Sequence, residues 1–180
     1  MTKTVTIFGL ISGGILAATM VVTMALYARG HFNFDRGEVV GYTSMILAFI
    51  LIFFGIRSHR ENSGGAITFL KAFQVGIGIT LIACAMYVLT WEILYYGFLP
   101  DFGQKYAAHM IEKMRASGAS AAAVEKTRAD MAHFAEMYRN PLINIGMTFL
   151  EVFPVGLVVT LISAAILRRK TAHLSDFRTA

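Results

Sequence analysis

The stretch PLINIGMTFLEVFPVGLVVTLISAAIL, Pro141–Leu167, predicts a membrane-spanning helix whose one charged side chain is Glu151. At about 1.5 Å of rise per residue, Glu151 lies about 15 Å into this helix, half the thickness of a bilayer core. A charge at that depth costs roughly 2.5–3.5 kcal/mol, so we expect the protein to compensate for it. Pro154 follows one turn later, and its missing N–H and its ring predict a helix bend.

Three further stretches are long and apolar enough to cross a bilayer, which needs about 20 helical residues. Val5–Ala28, Val39–Ile56 and the 20 residues between Lys71 and Glu92 contain no charged side chain. The first is too long for the apolar region of a signal peptide, so we expect it to be retained. Hydrophobic residues make up 56% of the 180-residue chain, above the roughly 45–50% of soluble domains. The sequence therefore predicts one all-α membrane domain, a four-helix bundle with spans at about 5–28, 39–56, 68–97 and 141–167.

Residues 101–139 differ from the spans in being rich in alanine and in charges of both signs. They predict an extramembrane amphipathic helical hairpin between the third and fourth spans, divided at Ser117 and Gly118. Ser120 and Asn140 are predicted N-caps, the latter followed by proline at the first helical position, and Asp35 is a predicted N-cap of the second span. The predicted apolar stripes are Phe102, Tyr106, Met110 and Met114 on the first hairpin helix, and Val124, Met131, Phe134 and Tyr138 on the second.

The distribution of basic residues predicts the orientation in the membrane. The formal net charge is +5, which in a membrane protein indicates an excess of lysine and arginine in cytoplasmic segments rather than nucleic-acid binding. The basic residues that adjoin span ends on the side of the termini are Lys3, Arg57, Arg60, Lys71, Arg168, Arg169 and Lys170. Both termini, including a polar tail at 168–180, are therefore predicted to be cytoplasmic, and the hairpin lies on the other side.

Glu151 has no lysine or arginine at its own depth, so the sequence predicts no salt bridge for it within the chain. Burial without a cation favours the neutral carboxyl, hydrogen-bonded to Tyr87 or a threonine. Polar residues at helical spacing on the third and fourth spans predict a small cleft around it. The alternative is that Glu151 only holds helices together, a contribution of about 1 kcal/mol. The candidate intramembrane polar site comprises Glu151, Thr148, Asn144, Tyr87, Trp91, Glu92 and Tyr42.

Gly9, Gly13 and Ala17 form a stripe of small residues on the first span, which permits close helix packing within the chain or between chains. The single cysteine, Cys84, lies within a span, and the five histidines lack the spacing of a zinc site. The sequence carries no phosphate-binding loop and no nucleophile-elbow motif. It therefore predicts no catalytic residue, no cofactor and no metal site.

Five segments together resemble a bacterial family of small four-helix inner-membrane proteins that is known only as a domain of unknown function. They are FDRGEVVGYTSM (34–45), ITFLKAFQVG (67–76), YVLTWEILYY (87–96), EKMRASGAS (112–120) and NPLINIGMTFLEVFPVGLVVTLISA (140–164). The resemblance implies four spans in the bacterial inner membrane with an outer hairpin, and it implies no activity or cofactor. The motif it indicates consists of Asp35, Gly37 and Glu38, Lys71 with Phe73, and Glu151 with Pro154.

These observations lead to two functional hypotheses of different classes. The first is a non-enzymatic scaffold or accessory subunit in the lipid bilayer, associating with itself or with another membrane protein. The second is a carrier or sensor that handles a proton, a cation or a lipid-like ligand in a cleft around Glu151. An intramembrane enzyme is less well supported, because one carboxylate lacks a clear second catalytic group.

Overall fold

The computed structural model describes residues 1–30 and 33–169, and this part of the chain is built from helices. They are α1 (Thr2–Ala28), α2 (Phe34–Glu61), α3 (Phe69–Gly97), α4 (Phe102–Ala116), α5 (Ala121–Tyr138) and α6 (Pro141–Leu167). Helices α1, α2, α3 and α6 are long and apolar enough to cross a membrane. The predicted fold class, an all-α membrane bundle, is confirmed. Most of the predicted tail, residues 170–180, lies outside the described residues.

Side-chain caps set the starts of four described helices, α2, α3, α5 and α6. The Ser120 hydroxyl accepts a hydrogen bond from the Ala123 N–H at 3.3 Å, and the Asn140 side chain accepts one from the Leu142 N–H at 3.0 Å. Both predicted N-caps are confirmed. The prediction that Asp35 caps α2 is wrong, because Asn33 is the cap and accepts from the Arg36 N–H at 2.9 Å. Asp35 lies in the first turn, where its carboxylate is free to bind elsewhere.

The four long helices form a bundle in which α1 and α6 occupy opposite corners. Both α1 and α6 pack against α2 and α3, and α2 also contacts α3 across the centre. The side chains between them are large and fully buried, among them Phe49 and Ile52 on α2 and Ile79 on α3. Close packing in this apolar centre holds the four helices around one axis.

Small residues bring α1 close to α3. A Cβ atom added to Gly9 would lie 2.8 Å from the Ile82 Cβ, and one added to Gly13 would lie 2.6 Å from the Met86 Sδ. Both distances are too short for a real side chain. The stripe that contains Gly9 and Gly13 therefore faces α3 of the same chain, with the half-buried Ala17 one turn further along.

The hairpin of α4 and α5 lies at one end of the bundle, which we call the hairpin end. Its two helices pack on each other, and α5 packs on α6. The opposite end, which we call the terminal end, holds the start of α1 and the end of α6. There an isolated bridge joins Ile67 to Arg169, and Arg60 donates a hydrogen bond to the Leu167 carbonyl at 3.3 Å. Helix α6 is continuous through Pro154.

Candidate functional site

A cavity of about 420 Å³ occupies the hairpin half of the bundle. It is surrounded by the four spans and covered by α4 and α5, so every described helix contributes to its wall. Its polar and charged lining residues include Thr19, Thr23, Asp35, Glu38, Tyr42, Ser44, Tyr87, His109, Lys113, Tyr138, Thr148 and Glu151. A chamber of this size lies within the range of about 300–1,000 Å³ found for small-molecule sites.

Glu151 lies on the wall of this cavity, in the middle of α6. Its side chain is exposed although its neighbours Val152 and Thr148 are buried. Part of the exposed surface of Glu151 faces the cavity. The Tyr87 hydroxyl donates a hydrogen bond to its Oε1 at 3.4 Å, which is long for a contact between two oxygen atoms. The carboxylate therefore retains hydrogen-bonding capacity that a ligand could use.

A hydrogen-bond network ties α3, α5 and α6 together at the cavity wall. The Trp91 Nε1–H donates to the Asn144 Oδ1 at 3.0 Å and to the Tyr138 hydroxyl at 2.9 Å. The Thr148 hydroxyl donates to the same Asn144 oxygen at 3.3 Å. Burial raises the pKa of the Tyr138 phenol, so this group stays neutral at physiological pH. The network fixes the position of the hairpin relative to the spans.

Aromatic rings close the cavity at the hairpin end. The Phe34 ring lies 4.5 Å from that of Tyr27, 5.7 Å from that of Phe102 and 5.5 Å from that of Tyr106, measured between centroids. The Trp91 ring lies 4.9 Å from that of Phe102. Trp91 is 7% exposed, so it faces these rings and the cavity rather than the bilayer interface.

An ion pair joins the hairpin to the start of α2 beside these rings. The Lys113 Nζ lies 2.7 Å from the Asp35 Oδ1, and the His109 Nε2 lies 3.4 Å from the same oxygen. The hydrogen bond to Asp35 raises the pKa of Lys113, which is therefore charged at neutral pH. Asp35, which sequence analysis assigned to helix capping, thus fastens α4 over the cavity.

Five residues of the predicted polar site line the cavity: Glu151, Thr148, Tyr87, Trp91 and Tyr42. The other two do not. Asn144 is fully buried behind the wall, where it accepts from Trp91. Glu92 lies off the cavity, and its Oε1 is buried without a hydrogen-bond partner in the part of the chain that the structure describes.

The hairpin and Glu38 also contribute to this site, and the sequence pattern predicts neither contribution. The stripe of Phe102, Tyr106 and Met110 was recognised as amphipathic, and all three residues line the cavity. Phe134 and Tyr138 of the second stripe do so too. The apolar periodicity of α4 and α5 therefore indicates that each helix buries one face. It does not indicate which surface of the protein those faces cover.

The family comparison leaves the activity open. A family model described as "Protein of unknown function (DUF4199)" matches residues 7–169. No curated protein and no solved structure matches the chain. The function must therefore be argued from the cavity and the side chains around it.

Proposed function

Since this chain belongs to the DUF4199 family of proteins of unknown function, we propose from its site that it is a membrane-embedded ligand-binding protein, a carrier or sensor. The observation that supports this most is the cavity of about 420 Å³ with the Glu151 carboxylate on its wall. An ionisable residue inside a membrane protein commonly marks a substrate or ion pathway. Here it combines with a space large enough for a small organic molecule.

The distribution of interhelical hydrogen bonds favours this function over that of a scaffold. The bundle is held at mid-depth by other polar contacts: the Thr80 and Thr160 hydroxyls lie 3.0 Å apart, and the Ser12 hydroxyl donates to the Ala48 carbonyl at 2.9 Å. All three of these side chains are buried. Glu151 is exposed and makes one long hydrogen bond, so it has the features of a ligand contact rather than of a packing contact.

We place the protein in the bacterial inner membrane with both termini in the cytoplasm, as the family resemblance and the basic residues suggest. At the terminal end, Arg57, Arg60, Lys71, Arg168 and Arg169 adjoin the spans, and such residues favour the cytoplasmic side. The hairpin end then faces outward. In this orientation the cavity lies in the outer half of the bilayer, beneath the hairpin.

The proposal is tested by asking whether water-soluble reagents reach the cavity. Ser44 lines it, whereas Ile46, two residues away on α2, is 54% exposed on the apolar outside of the bundle. In a Cys84→Ala background, we expect a water-soluble maleimide to modify Ser44→Cys and to spare Ile46→Cys, because a thiol in hydrocarbon does not ionise. If Ser44→Cys is as inert as Ile46→Cys, the cavity is closed and dry, and the scaffold function is the better explanation.

A further inference from the structure

We infer that the ligand of this cavity is a small organic cation, an amine or quaternary ammonium compound with an apolar body. The inference rests on the proposed function and specifies the chemical class that the site would take. It follows from three properties of the wall: its charge, its aromatic content and its position next to a groove in the surface of α1 and α2.

The charged groups on the wall leave carboxylates without partners. Asp35, Glu38 and Glu151 line the cavity, and among the described residues Lys113 and His109 are the basic ones that line it. Both basic groups bind Asp35. Among the residues that the structure describes, Glu38 and Glu151 form no salt bridge. A cation in the cavity would supply the missing partner charge and favour ionised carboxylates, whereas an anion would meet only basic groups that already bind Asp35.

Aromatic side chains make up much of the remaining wall. The aromatic residues that line it in the described part of the chain are Tyr27, Phe34, Tyr42, Tyr87, Trp91, Tyr95, Phe102, Tyr106, Phe134 and Tyr138. The electron-rich faces of such rings attract organic cations, and rings that surround a quaternary ammonium group are a recurrent recognition device. Tyr42 and Tyr87 share the wall with Glu151, so a cationic headgroup held there has both a carboxylate and aromatic surface within the same chamber.

A metal ion fits the cavity less well than an organic cation. In residues 1–30 and 33–169, no three His, Cys, Asp or Glu side chains gather closely enough to hold a metal ion. A small inorganic cation would also leave most of the 420 Å³ unfilled. An organic cation fills apolar volume with its body and places its charge at a carboxylate.

We expect such a ligand to enter from the bilayer between α1 and α2. Thr19 and Thr23 line the cavity and also line a second, shallow groove formed with Ala18, Val22, Leu26 and Val40. This groove lies on the outside of α1 and α2, and it shares the Thr19 and Thr23 side chains with the chamber. A cation with an apolar body partitions into the membrane interface and would reach the cavity there.

The single tryptophan of the chain is a reporter for this site, because Trp91 lines the cavity. The full-length protein in detergent micelles is titrated with benzyltrimethylammonium and with neopentylbenzene, in which a carbon atom replaces the charged nitrogen. We expect the cation to change Trp91 emission saturably and to bind at least about tenfold more tightly than the neutral compound. Glu151→Gln should remove most of that preference, whereas Glu112→Gln, an exposed glutamate of α4 outside the cavity, should retain it.

Three outcomes would overturn the inference. Equal affinity for the two probes, unchanged cation affinity in Glu151→Gln, or no response to the cation at all would each exclude a cation site. If Glu151→Gln fails to accumulate, Glu38→Gln replaces it, and an unchanged preference in that variant excludes the site equally. The maleimide reaction of Ser44→Cys remains a separate measurement. A reactive Ser44→Cys with no cation preference therefore rejects this ligand class while the proposed binding function stands.

Discussion

Buried hydroxyl groups hold the centre of this bundle together, and they lie next to glycine residues of the neighbouring helix. The Thr80 Oγ1 donates to the Gly76 carbonyl at 3.0 Å and lies 3.0 Å from the Thr160 Oγ1. On the facing helix, Gly156 leaves room for the Thr80 side chain. Without the hydrophobic effect between helices in lipid, such close packing and hydrogen bonding are the main sources of attraction. The contact between Thr80 and Thr160 therefore depends on the absence of a side chain at Gly156 and at Gly76.

Gly156→Ala should destabilise the bundle. An added Cβ would lie 2.5 Å from the Thr80 Cγ2 and 3.0 Å from the Phe49 Cζ. Overpacking of this kind typically costs about 1–3 kcal/mol, measured as the change in unfolding free energy during titration with a denaturing detergent. Gly146→Ala on the same helix is the matched control, because nothing lies within 4 Å of its added Cβ. Equal stability of the two variants would contradict the close packing of α3 on α6.

Glu151→Leu should cost little stability if Glu151 serves a ligand. The hydrogen bond it would remove is long, 3.4 Å, and the Tyr87 hydroxyl would still face the cavity. We expect a loss below about 1 kcal/mol, with Glu151→Gln close to the wild type. Thr160→Val is the comparison, since it removes a fully buried hydroxyl that pairs with Thr80 and should cost about 1–2 kcal/mol. A larger loss in Glu151→Leu than in Thr160→Val would show that the carboxyl holds helices together.

At the scale of elements, the hairpin combines firm and weak attachments to the spans. It is anchored through Tyr138, whose hydroxyl accepts from Trp91 within the buried network. Its other helix, α4, is attached beside the cavity by the exposed pair of Asp35 and Lys113. Exposed ion pairs are weak and are screened by salt. We therefore expect a change in salt or charge to loosen α4 sooner than α5, although the Phe102 and Tyr106 rings also hold α4 against Phe34.

Lys113→Met should ease entry into the cavity without unfolding the protein. The methionine keeps an unbranched side chain one atom shorter than lysine, and it removes the charge that binds Asp35. In the Ser44→Cys, Cys84→Ala protein, we expect Lys113→Met to accelerate maleimide modification several-fold, and high salt to do the same with Lys113 in place. Lys105→Met is the control, because Lys105 is also exposed on α4 but forms no salt bridge among the described residues. If Lys113→Met and Lys105→Met are modified by maleimide at the same rate, the ion pair of Asp35 and Lys113 does not keep α4 over the cavity.

The elements were predictable from the sequence where local chemistry determines them, and less so where distant residues determine them. The four spans follow from apolar length, and the caps at Ser120 and Asn140 follow from contacts within three residues. The error at Asp35 has a different origin. Its carboxylate binds Lys113, 78 residues away, and no local pattern specifies such a partner. The cavity was predicted only as a cleft near Glu151, because its cover depends on how the hairpin folds back.

At the scale of the whole molecule, the two ends of the bundle differ in chemistry. The terminal end carries Arg57, Arg60 and Lys71 beside the span ends, together with Arg168 and Arg169. The hairpin end carries the aromatic cover and the acidic cavity. The order of the helices, which produces this difference between the two ends, was predicted from the sequence. The arrangement of α1 and α6 at opposite corners was not, because side-chain fit between helices selects among several compact bundles.

This polarity predicts which side of the membrane the cavity faces. Ser63 and Ser117 each precede a glycine with positive φ in an exposed turn, Ser63 at the terminal end and Ser117 in the hairpin. In the Cys84→Ala background, a membrane-impermeant maleimide added to intact cells should label Ser117→Cys at once and Ser63→Cys only after the membrane is permeabilised. The reverse pattern would place the hairpin in the cytoplasm. The cavity would then face the cytoplasmic leaflet, and its ligand would have to come from inside the cell.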